Sequence, residues 1–346
     1  MGREANFMKA LVTGGGGFLG RAIVRRLLEA NYSVRSFSRG RYPKLDFLNV
    51  EVRQGDITSG HAVYKACEDC DVVFHVAAKV GVWGRDRDYY DVNVRGTKNI
   101  LQACRSLGIS RLVYTSTPSV VFNGEDMEGI DETIPYPATY ISPYPKTKAI
   151  AEAEVLAAND VSLATVALRP HLIWGPDDSH LIPAILSRGC RGRLFAIGSQ
   201  SRLVDFTYID NAAEAHLLAA QKLWPGSEVA GKVFFISDGN PIPLWDFVNR
   251  VLKCADLPPV NRSVSKGLAY GSAFFFEMLY TILRIEGEPL LTRFLVDELV
   301  TAHWFDISSA SRLLGYHPRI STEEGFERLT RWIRECSADK IPHTQA

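Results

Sequence analysis

KALVTGGGGFLG, residues 9–20, joins a short apolar segment to a glycine-rich turn and the start of a helix. The apolar run at 10–12 predicts a buried β-strand, and residues 18–30 carry leucine and isoleucine at helical spacing. A strand, a tight turn and an amphipathic helix in this order predict the opening unit of a parallel α/β sheet.

Three glycines in this stretch, Gly14, Gly17 and Gly20, are spaced three residues apart. The first suits a tight turn, the second lets the backbone approach a diphosphate, and the third lets helix and strand pack closely. The first helical turn, with Phe18 and Leu19, would present its N–H groups to the diphosphate. The stretch therefore predicts a dinucleotide site.

The composition describes a balanced chain: 346 residues, 39 basic and 39 acidic side chains, and 46% hydrophobic residues. We expect a soluble globular protein, built as two domains or as one large α/β domain with an elaborated second part. Because the charges balance and no long basic run occurs, we expect no nucleic acid as a partner.

The six cysteines are scattered, which fits reduced thiols better than a disulfide framework. Residues 1–7 are polar and lack the apolar segment of a signal peptide. We therefore expect a cytoplasmic protein. The sequence leaves open whether Met1 or Met8 is the start.

Two groups of residues resemble metal or redox sites at first inspection. Cys67 and Cys70 form a CxxC without a second pair, so we interpret them as buried thiols at a helix end. His75 and His171 are isolated in apolar surroundings, and we interpret both as hydrogen-bonded core histidines. No group of residues has metal-ligand spacing, so we expect no metal.

Strand and helix patterns alternate through the first half of the chain, which predicts a Rossmann-type, doubly wound parallel sheet with right-handed crossovers. Strands are predicted at 33–37, 50–53, 71–76, 111–116 and 162–168, and helices at 89–107 and from about 143 to 158. We predict that residues 8–175 form an NADP-binding Rossmann domain. Residues 176–346 would mainly bind substrate, with 203–240 returning to the Rossmann sheet through a strand at 232–237, so that the smaller substrate-binding part is discontinuous.

The tip of the second strand indicates which dinucleotide is preferred. An NAD site usually carries a carboxylate there, to bind the ribose 2′-hydroxyl. This chain has Ser38 and Arg39, followed by Arg41 and Lys44. Because arginine can bind a 2′-phosphate through charge-assisted hydrogen bonds, the sequence favours NADP and leaves NAD as the alternative.

Further cofactor contacts are predicted at the ends of the third and fourth strands. Asp56, with Ile57 beside it, is a candidate partner for the adenine. Ala77 and Ala78 are small enough for the cofactor to lie over the sheet edge, and Lys79 follows them.

Tyr144 and Lys148 are the candidate catalytic pair, because their i, i+4 spacing places them on one face of a helix that Ser142 can cap. A phenol titrates near 10 and transfers protons poorly at neutral pH unless a cation stabilises its phenolate. Lys148 would supply that cation. A hydroxyl from TSTPSV, residues 115–120, would orient the substrate oxygen.

Seven motifs occur along the chain: TGGGGFLG (13–20), AAKVGVWG (77–84), YTSTPSV (114–120), YPKTK (144–148), ALRPHLIWGPDDSHLIP (167–183), TYIDNAAEAH (207–216) and PLLTRFLVDELVTAHWF (289–305). Together they resemble the extended short-chain dehydrogenase/reductase superfamily, and within it the 3β-hydroxysteroid dehydrogenase-like group. This group includes sterol-4α-carboxylate 3-dehydrogenases and the bacterial 2-alkyl-3-oxoalkanoate reductases of olefin biosynthesis, to which the likeness is greatest.

This resemblance implies roles for individual residues. Tyr144 would be the general acid/base, and Lys148 would lower its pKa and hold the nicotinamide ribose. Thr117 would orient the substrate, with Ser116 as a rival for that role. Residues 169–173, including Pro170 and Ile173, would lie near the nicotinamide.

The run at 267–285 is largely apolar, with Glu277 and Arg284 as its charged residues. We interpret it as a helix whose aromatic residues, Tyr270 and 274–276, form the wall of a hydrophobic substrate pocket. Peripheral membrane contact is the alternative. Whether the chain forms a homodimer or joins a biosynthetic complex is left open.

The sequence as a whole predicts an NADP-dependent oxidoreductase that interconverts a 3-oxo and a 3-hydroxy group on a large hydrophobic substrate, in the reductive direction for a 2-alkyl-3-oxoalkanoate. An NAD(P)-dependent 3β-hydroxysteroid or sterol-4α-carboxylate 3-dehydrogenase is the alternative enzyme. A dinucleotide-sensing regulator is the non-enzymatic alternative, against which the complete set of tyrosine, lysine and hydroxyl argues.

Overall fold

A computed structural model describes residues 8–198, 201–285 and 287–338. The strands are β1 (Lys9–Thr13), β2 (Ser33–Ser38), β3 (Glu51–Gln54), β4 (Val72–His75), β5 (Arg111–Thr115), β6 (Met127–Ile130), β7 (Ala164–Pro170), β8 (Ile173–Trp174), β9 (Ala196–Ile197), β10 (Leu203–Val204), β11 (Thr207–Tyr208), β12 (Lys232–Ile236), β13 (Ile242–Pro243), β14 (Ser263–Val264) and β15 (His303–Phe305).

Helices flank these strands throughout the described ranges. They are α1 (Phe18–Glu29), α2 (Pro43–Asp46), α3 (Gly60–Cys67), α4 (Asp86–Tyr89), α5 (Gly96–Leu107), α6 (Pro143–Ala157), α7 (Leu181–Cys190), α8 (Ile209–Lys222), α9 (Leu244–Cys254), α10 (Lys266–Leu283), α11 (Arg293–Val300) and α12 (Thr322–Ala338), with π-helical turns at Tyr90–Arg95 and Ala310–Leu314 and a 3₁₀ turn at Pro118–Val121.

Seven parallel strands of the described chain form the main sheet, in the order β12-β7-β5-β4-β1-β2-β3. The strand order reverses between β1 and β4, and at such a switch point a crevice opens outside the carboxyl ends of the strands. Helices cover both faces, so β1, β4 and β5 are almost fully buried. The predicted Rossmann-type fold class is confirmed.

The later part of the chain contributes to the main sheet and also builds a smaller one. Strand β12 pairs with β7 along its whole length, and α8 packs against α1 beneath the sheet. A separate sheet has the order β13-β10-β15-β6. Strand β6 lies in the segment 123–143, for which the glycine, proline and acidic residues of the sequence predict a loop.

Two further elements differ from the sequence prediction. The helix predicted at 89–107 contains the π-helical turn Tyr90–Arg95, where the Asn93 carbonyl accepts a hydrogen bond from Thr97 Oγ1. The strand predicted at 162–168 begins two residues later, because the Asp160 carboxylate accepts hydrogen bonds from two backbone N–H groups of the preceding turn.

Gly20 allows α1 to pack directly on the turn that precedes it. A Cβ atom at Gly20 would lie 2.1 Å from the carbonyl oxygen of Gly14, and Gly14 itself has a φ of +68°. Backbone atoms on both sides leave no flexible group to move aside. These two glycines therefore determine where the N-terminus of α1 points.

We expect Gly20→Ala to lower the free energy of unfolding by roughly 1–3 kcal/mol, the usual cost of overpacking a close contact. The matched control is Gly271→Ala in α10, where a Cβ would meet no atom within 4 Å. Alanine there should stabilise the helix by roughly 0.5–1 kcal/mol. Urea denaturation measures both, and equal effects of the two substitutions would contradict the packing argument.

Candidate active site

A cavity of about 660 Å³ opens at the carboxyl edge of the main sheet. It brings together residues of β2, β5, β7, α1, α6 and α11 with residues that follow β1 and β4, all far apart in the sequence. The sequence-predicted site residues that line it are Gly14, Gly17, Phe18, Leu19, Gly20, Ser38, Arg39, Asp56, Ile57, Ala77, Ala78, Ser116, Thr117, Tyr144, Lys148, Pro170 and Ile173.

The glycine turn forms the floor of this cavity in a way that fits a dinucleotide diphosphate. No side chain caps the N-terminus of α1, where Gly17 is the N-cap residue. The first N–H groups of α1 cannot be satisfied within the helix, and they lie at the cavity. The close approach at Gly20 keeps side-chain atoms out of the turn. Residues 14–20 would therefore hold the diphosphate.

The end of β2 shapes the neighbouring part of the cavity. Ser38 Oγ accepts a hydrogen bond from Gly16 N at 3.3 Å. The ring of Tyr42 lies against Gly16, where a Cβ would meet it at 2.0 Å. Asp56 lines the cavity while one of its oxygens accepts two hydrogen bonds from Thr58. Tyr42 is a lining residue that sequence reasoning missed.

The three basic residues predicted near this end of the cavity differ in whether they already form a salt bridge. Arg41 pairs with Asp46 at 3.1 Å, and Lys44 pairs with Asp177. Arg39 lines the cavity, is exposed, and makes no salt bridge within 4 Å to any residue in the described ranges. Arg39 is thus the basic side chain that can bind an added anionic group.

Thr13 and His75 hold the ends of β1 and β4 together. Thr13 Oγ1 accepts hydrogen bonds from the N–H groups of Val76 and Ala77 at 3.1 Å. His75 contacts Thr13 Oγ1 through Nδ1 at 2.9 Å and Thr97 Oγ1 through Nε2 at 3.0 Å. Burial lowers the pKa of His75 to about 3, so the ring is neutral. The interpretation of His75 as a satisfied core histidine is confirmed.

Lys79 is the predicted cofactor residue that does not line the cavity. Its ammonium lies 5.0 Å from the centroid of the Tyr89 ring. Its backbone is held by Asn93, whose side chain accepts from Lys79 N at 2.7 Å and donates to Lys79 O at 3.1 Å. The contribution of Lys79 is therefore to the shape of the loop after β4.

Tyr144 and Thr117 meet in the cavity. Tyr144 is the second residue of α6, and Thr117 directly precedes the 3₁₀ turn after β5. Burial raises the pKa of Tyr144 to about 12, and the Thr117 hydroxyl opposes part of that shift. Ser116 Oγ is buried without a hydrogen-bond partner among the described residues. Of the two rival hydroxyls, Thr117 is the one that contacts the phenol.

Lys148 lies one helical turn after Tyr144, but its ammonium does not bond to the phenol. Nζ donates to the carbonyl oxygen of Thr115 at 2.6 Å and lies 4.2 Å from the centroid of the Tyr114 ring. Burial lowers the pKa of Lys148 to about 7. The expected lowering of the Tyr144 pKa is therefore wrong for this structure, because burial in an apolar cavity outweighs the nearby cation.

A buried ion pair anchors α6 to β7 beneath these residues. Arg169 donates from Nε to Glu152 at 3.0 Å and from Nη2 at 2.5 Å. Tyr136 also donates to Glu152, at 2.6 Å. Both charged side chains are almost fully buried, so the bidentate geometry sets the position of α6 and of the candidate catalytic residues on it.

The sequence predicts helix N-caps at Ser142 and, in the motif at 207–216, at Asp210, and the structure differs at both. Ser142 is the N-cap residue of α6 but makes no capping hydrogen bond, because its hydroxyl donates to the carbonyl of Val82. Asp210 lies inside the first turn of α8, after the N-cap residue Tyr208, and pairs with Arg328 at 2.9 Å. Both capping predictions are wrong.

The CxxC residues are confirmed as buried free thiols, and Cys67 is the last residue of α3. The prediction for His171 is wrong. Its Nε2 is buried without a hydrogen-bond partner in the described chain. The ring packs edge-on against His303 and Phe305, with centroid distances of 5.7 Å and 5.3 Å, so aromatic contacts hold it in place of a polar partner.

The wall predicted from 267–285 lies elsewhere. No lining residue comes from that segment, and Phe294, Leu295 and Glu298 of α11 line the cavity in its place. Helix α10 buries Ala269 and Ala273 against α11, while Phe274 and Phe275 are more than half exposed. A long apolar helix has two faces, and here the aromatic face points away from the site. Within the described ranges, no helix combines the length and hydropathy that a membrane span requires.

The fold and the site together define an NAD(P)-dependent oxidoreductase with a Rossmann sheet. The chain belongs to the 3-beta hydroxysteroid dehydrogenase/isomerase family, whose profile matches residues 11–265. The resemblance to this group that the sequence motifs indicated is confirmed.

Relatives support this assignment over nearly the whole chain. The 2-alkyl-3-oxoalkanoate reductase of Stenotrophomonas maltophilia is 49% identical, over 93% of this chain and 98% of its own length. That of Shewanella oneidensis is 47% identical, over 94% and 86%. The mouse sterol-4-alpha-carboxylate 3-dehydrogenase, decarboxylating, is 34% identical, over 96% and 92%.

Solved structures share the fold. The crystal structure of gox2253 matches with a TM-score of 0.77 and 26% identity, over 94% of this chain and 98% of that chain. A UDP-glucuronic acid 4-epimerase from Bacillus cereus in complex with NAD matches with a TM-score of 0.75 and 23% identity, over 95% and 99%. The epimerase shows the fold alone.

The buried Lys148 predicts a pH-dependent stability. Its pKa falls from 10.5 in the unfolded chain to about 7. The unfolded state therefore holds more protons between these values, so stability rises with pH. Lys148→Met removes the titrating group. The free energy of unfolding of the variant, relative to that of the wild type, should therefore fall by roughly 2 kcal/mol between pH 7 and pH 9.

Urea denaturation at both pH values measures this difference. Lys146→Met is the matched control, because Lys146 lies on the exposed face of the same helix. The difference in free energy of unfolding between Lys146→Met and the wild type should stay constant with pH. A constant difference for Lys148→Met as well would contradict the assigned pKa.

Proposed function

We propose that this protein reduces the 3-oxo group of a 2-alkyl-3-oxoalkanoate to the 3-hydroxy acid with NADPH. The observation that carries the proposal is the meeting of Tyr144, Thr117 and Lys148 beside a glycine turn in one cavity. Relatives at 47% and 49% identity that are named for this activity support the substrate class.

The side chains suit the reductive direction. A bound nicotinamide supplies a hydride to the carbonyl carbon. Tyr144 donates its proton to the carbonyl oxygen as that oxygen gains charge, which completes the hydroxyl group. The phenol is protonated at neutral pH, but its raised pKa makes it a weak acid, so the transfer needs a group that stabilises the phenolate. Thr117 orients the oxygen, and a protonated Lys148 stabilises the phenolate that remains.

We also propose that different parts of the chain bind the cofactor and the substrate, as the sequence predicts. Residues 8–175 with 203–240 would bind the cofactor, and the remainder of 176–346 would mainly bind substrate. Pairing of β12 with β7 supports the assignment of 203–240 to the cofactor-binding part. The position of α11 at the cavity supports the assignment of the later residues to substrate binding.

The alternatives have weaker support. A sterol or 3β-hydroxysteroid dehydrogenase activity rests on relatives of 33–37% identity. A dinucleotide-sensing regulator would have no need of the complete catalytic set. Cytoplasmic location, homodimer or complex formation, and membrane contact through the exposed face of α10 stay predictions.

The preference for NADPH should depend on Arg39. We expect NADPH to bind more tightly than NADH by roughly 1–3 kcal/mol, the scale of a charge-assisted hydrogen bond. Arg39→Ala should remove most of that difference, and nicotinamide fluorescence titration measures it. Arg41→Ala is the matched control, because Arg41 already pairs with Asp46. Equal affinities for the two cofactors in the wild type, or equal losses in both variants, would contradict the proposal.

The substrate class is tested with a series of 2-alkyl-3-oxo acids of increasing chain length. Each buried methylene contributes roughly 0.8 kcal/mol, so kcat/KM should rise steeply until the cavity is full. Tyr144→Phe should keep NADPH affinity and lower kcat at least roughly 10²-fold. NADPH oxidation measures both effects.

Steroid substrates are the decisive comparison. NAD(P)H formation with 3β-hydroxysteroids and 4α-carboxysterols, in the absence of activity on the acids, would favour the sterol dehydrogenase alternative. Near-normal turnover by Tyr144→Phe would assign the proton donor to another group.

A further inference from the structure

Glu298 is an acidic side chain at the substrate end of the cavity, among apolar neighbours. It lies on α11 one turn after Phe294, and Phe294 and Leu295 line the same wall. Its carboxyl group also contributes to the raised pKa of Tyr144, which places it within electrostatic range of the phenol. An acidic group beside the reacting centre, in a cavity suited to alkyl chains, needs a chemical reason.

The other lining carboxylates are already bound to the backbone. Asp56 accepts from Thr58 N at 2.8 Å, and Asp178 accepts from Ile182 N at 2.8 Å. No hydrogen bond to the Glu298 carboxyl group occurs in the parts of the chain that the structure describes. Glu298 therefore keeps its hydrogen-bonding capacity for a ligand.

The hydrogen bonds around His303 show which form of Glu298 fits. The Thr301 hydroxyl donates to the carbonyl of Asp297 at 2.6 Å, so it accepts from His303 Nε2 at 2.7 Å. Burial lowers the pKa of His303 to about 4, so the neutral ring carries a single proton, assigned to Nε2 by this network. The bare Nδ1 then faces Glu298 Oε2 at 3.8 Å. An acceptor at this position favours the carboxylic acid over the carboxylate.

The titratable groups that face Glu298 agree with this form. They are Asp297 beside it on α11, His303 on β15 and Tyr144 on α6. None of them supplies a cation at neutral pH, and Lys266 of α10 pairs with Asp297. Burial and the charge of Asp297 raise the pKa of Glu298 to about 8.

A 2-alkyl-3-oxoalkanoate carries its carboxylate one carbon away from the reacting carbonyl. With the carbonyl oxygen held by Tyr144 and Thr117, the carboxylate must bind close by. Lys148 is engaged with the Thr115 carbonyl, and Arg39 lies at the β2 tip. His171, whose Nε2 has no hydrogen-bond partner in the described chain, also lines the cavity, but its ring packs against His303 and Phe305. Glu298 can donate to the substrate carboxylate as a carboxylic acid, and among the lining carboxyl groups it is the one without a hydrogen bond in the described ranges.

We propose that Glu298 is a specificity-determining residue that donates a hydrogen bond, as a carboxylic acid, to the carboxylate of the 3-oxo acid. This inference rests on the function proposed above. Sharing one proton between two carboxyl groups removes the like-charge repulsion between them. Substrates without the acid group gain nothing from Glu298, so the residue selects 3-oxo acids over neutral ketones of equal size.

The test compares a long-chain 2-alkyl-3-oxo acid with its methyl ester as substrates for the wild type, Glu298→Gln and Glu298→Leu. Glu298→Leu removes the donor at similar volume and should raise KM for the acid about tenfold or more, with a much smaller effect on KM for the ester. Glu298→Gln keeps an N–H donor and should hold KM for the acid within about threefold of the wild type. NADPH affinity shows that each variant is folded.

The pH profile separates a donor from a purely structural group. In the wild type, KM for the acid should rise about tenfold per pH unit above pH 8, as Glu298 ionises and repels the substrate. This rise should be absent for the ester and for Glu298→Gln with the acid.

Several results would overturn the assignment of Glu298. They are equal changes for acid and ester in Glu298→Leu, a loss in Glu298→Gln as large as in Glu298→Leu, and a wild-type pH rise that persists in Glu298→Gln. Wild-type inactivity on both acid and ester would contradict the proposed function itself, and so is distinguishable from a failure of this inference.

Discussion

The contact between the backbone of α1 and the turn that precedes it is the constraint on which the site depends. A Cβ atom at position 20 would lie 2.1 Å from the carbonyl oxygen of Gly14, so only glycine allows the helix to pack this closely on the turn. This approach directs the first N–H groups of α1 into the cavity. The same turn follows β1 at the switch point of the sheet, so the proposed phosphate site lies at the crevice.

A second constraint positions α6, the helix that carries the candidate catalytic residues. The pair between Arg169 and Glu152 joins α6 to β7 in the core, and breaking such a pair would leave an uncompensated buried charge. Tyr144 and Lys148 then have little freedom, and both are withdrawn from water. Burial raises the pKa of the phenol and lowers that of the ammonium, so the two groups are held closer to their neutral forms.

The two ends of the cavity have different origins in the chain. Strand ends and the glycine turn build the cofactor end, from motifs that can be recognised within a few residues. Residues of α11 line the other end, where we propose that the substrate binds, more than a hundred residues after α6. The apolar helix α10 supports α11 from behind, so its aromatic residues are available to contacts outside the site.

Local pattern alone was sufficient to predict the parallel sheet, the glycine turn, the positions of Tyr144, Lys148 and Thr117, and the basic tip of β2. These features depend on spacing within one turn or strand, which the sequence states directly. The neutral state of the phenol, the unpaired Nε2 of His171, the lining by Glu298 and the outward face of α10 depend on what packs against each residue. Burial and partners come from distant segments, so only the tertiary structure decided them.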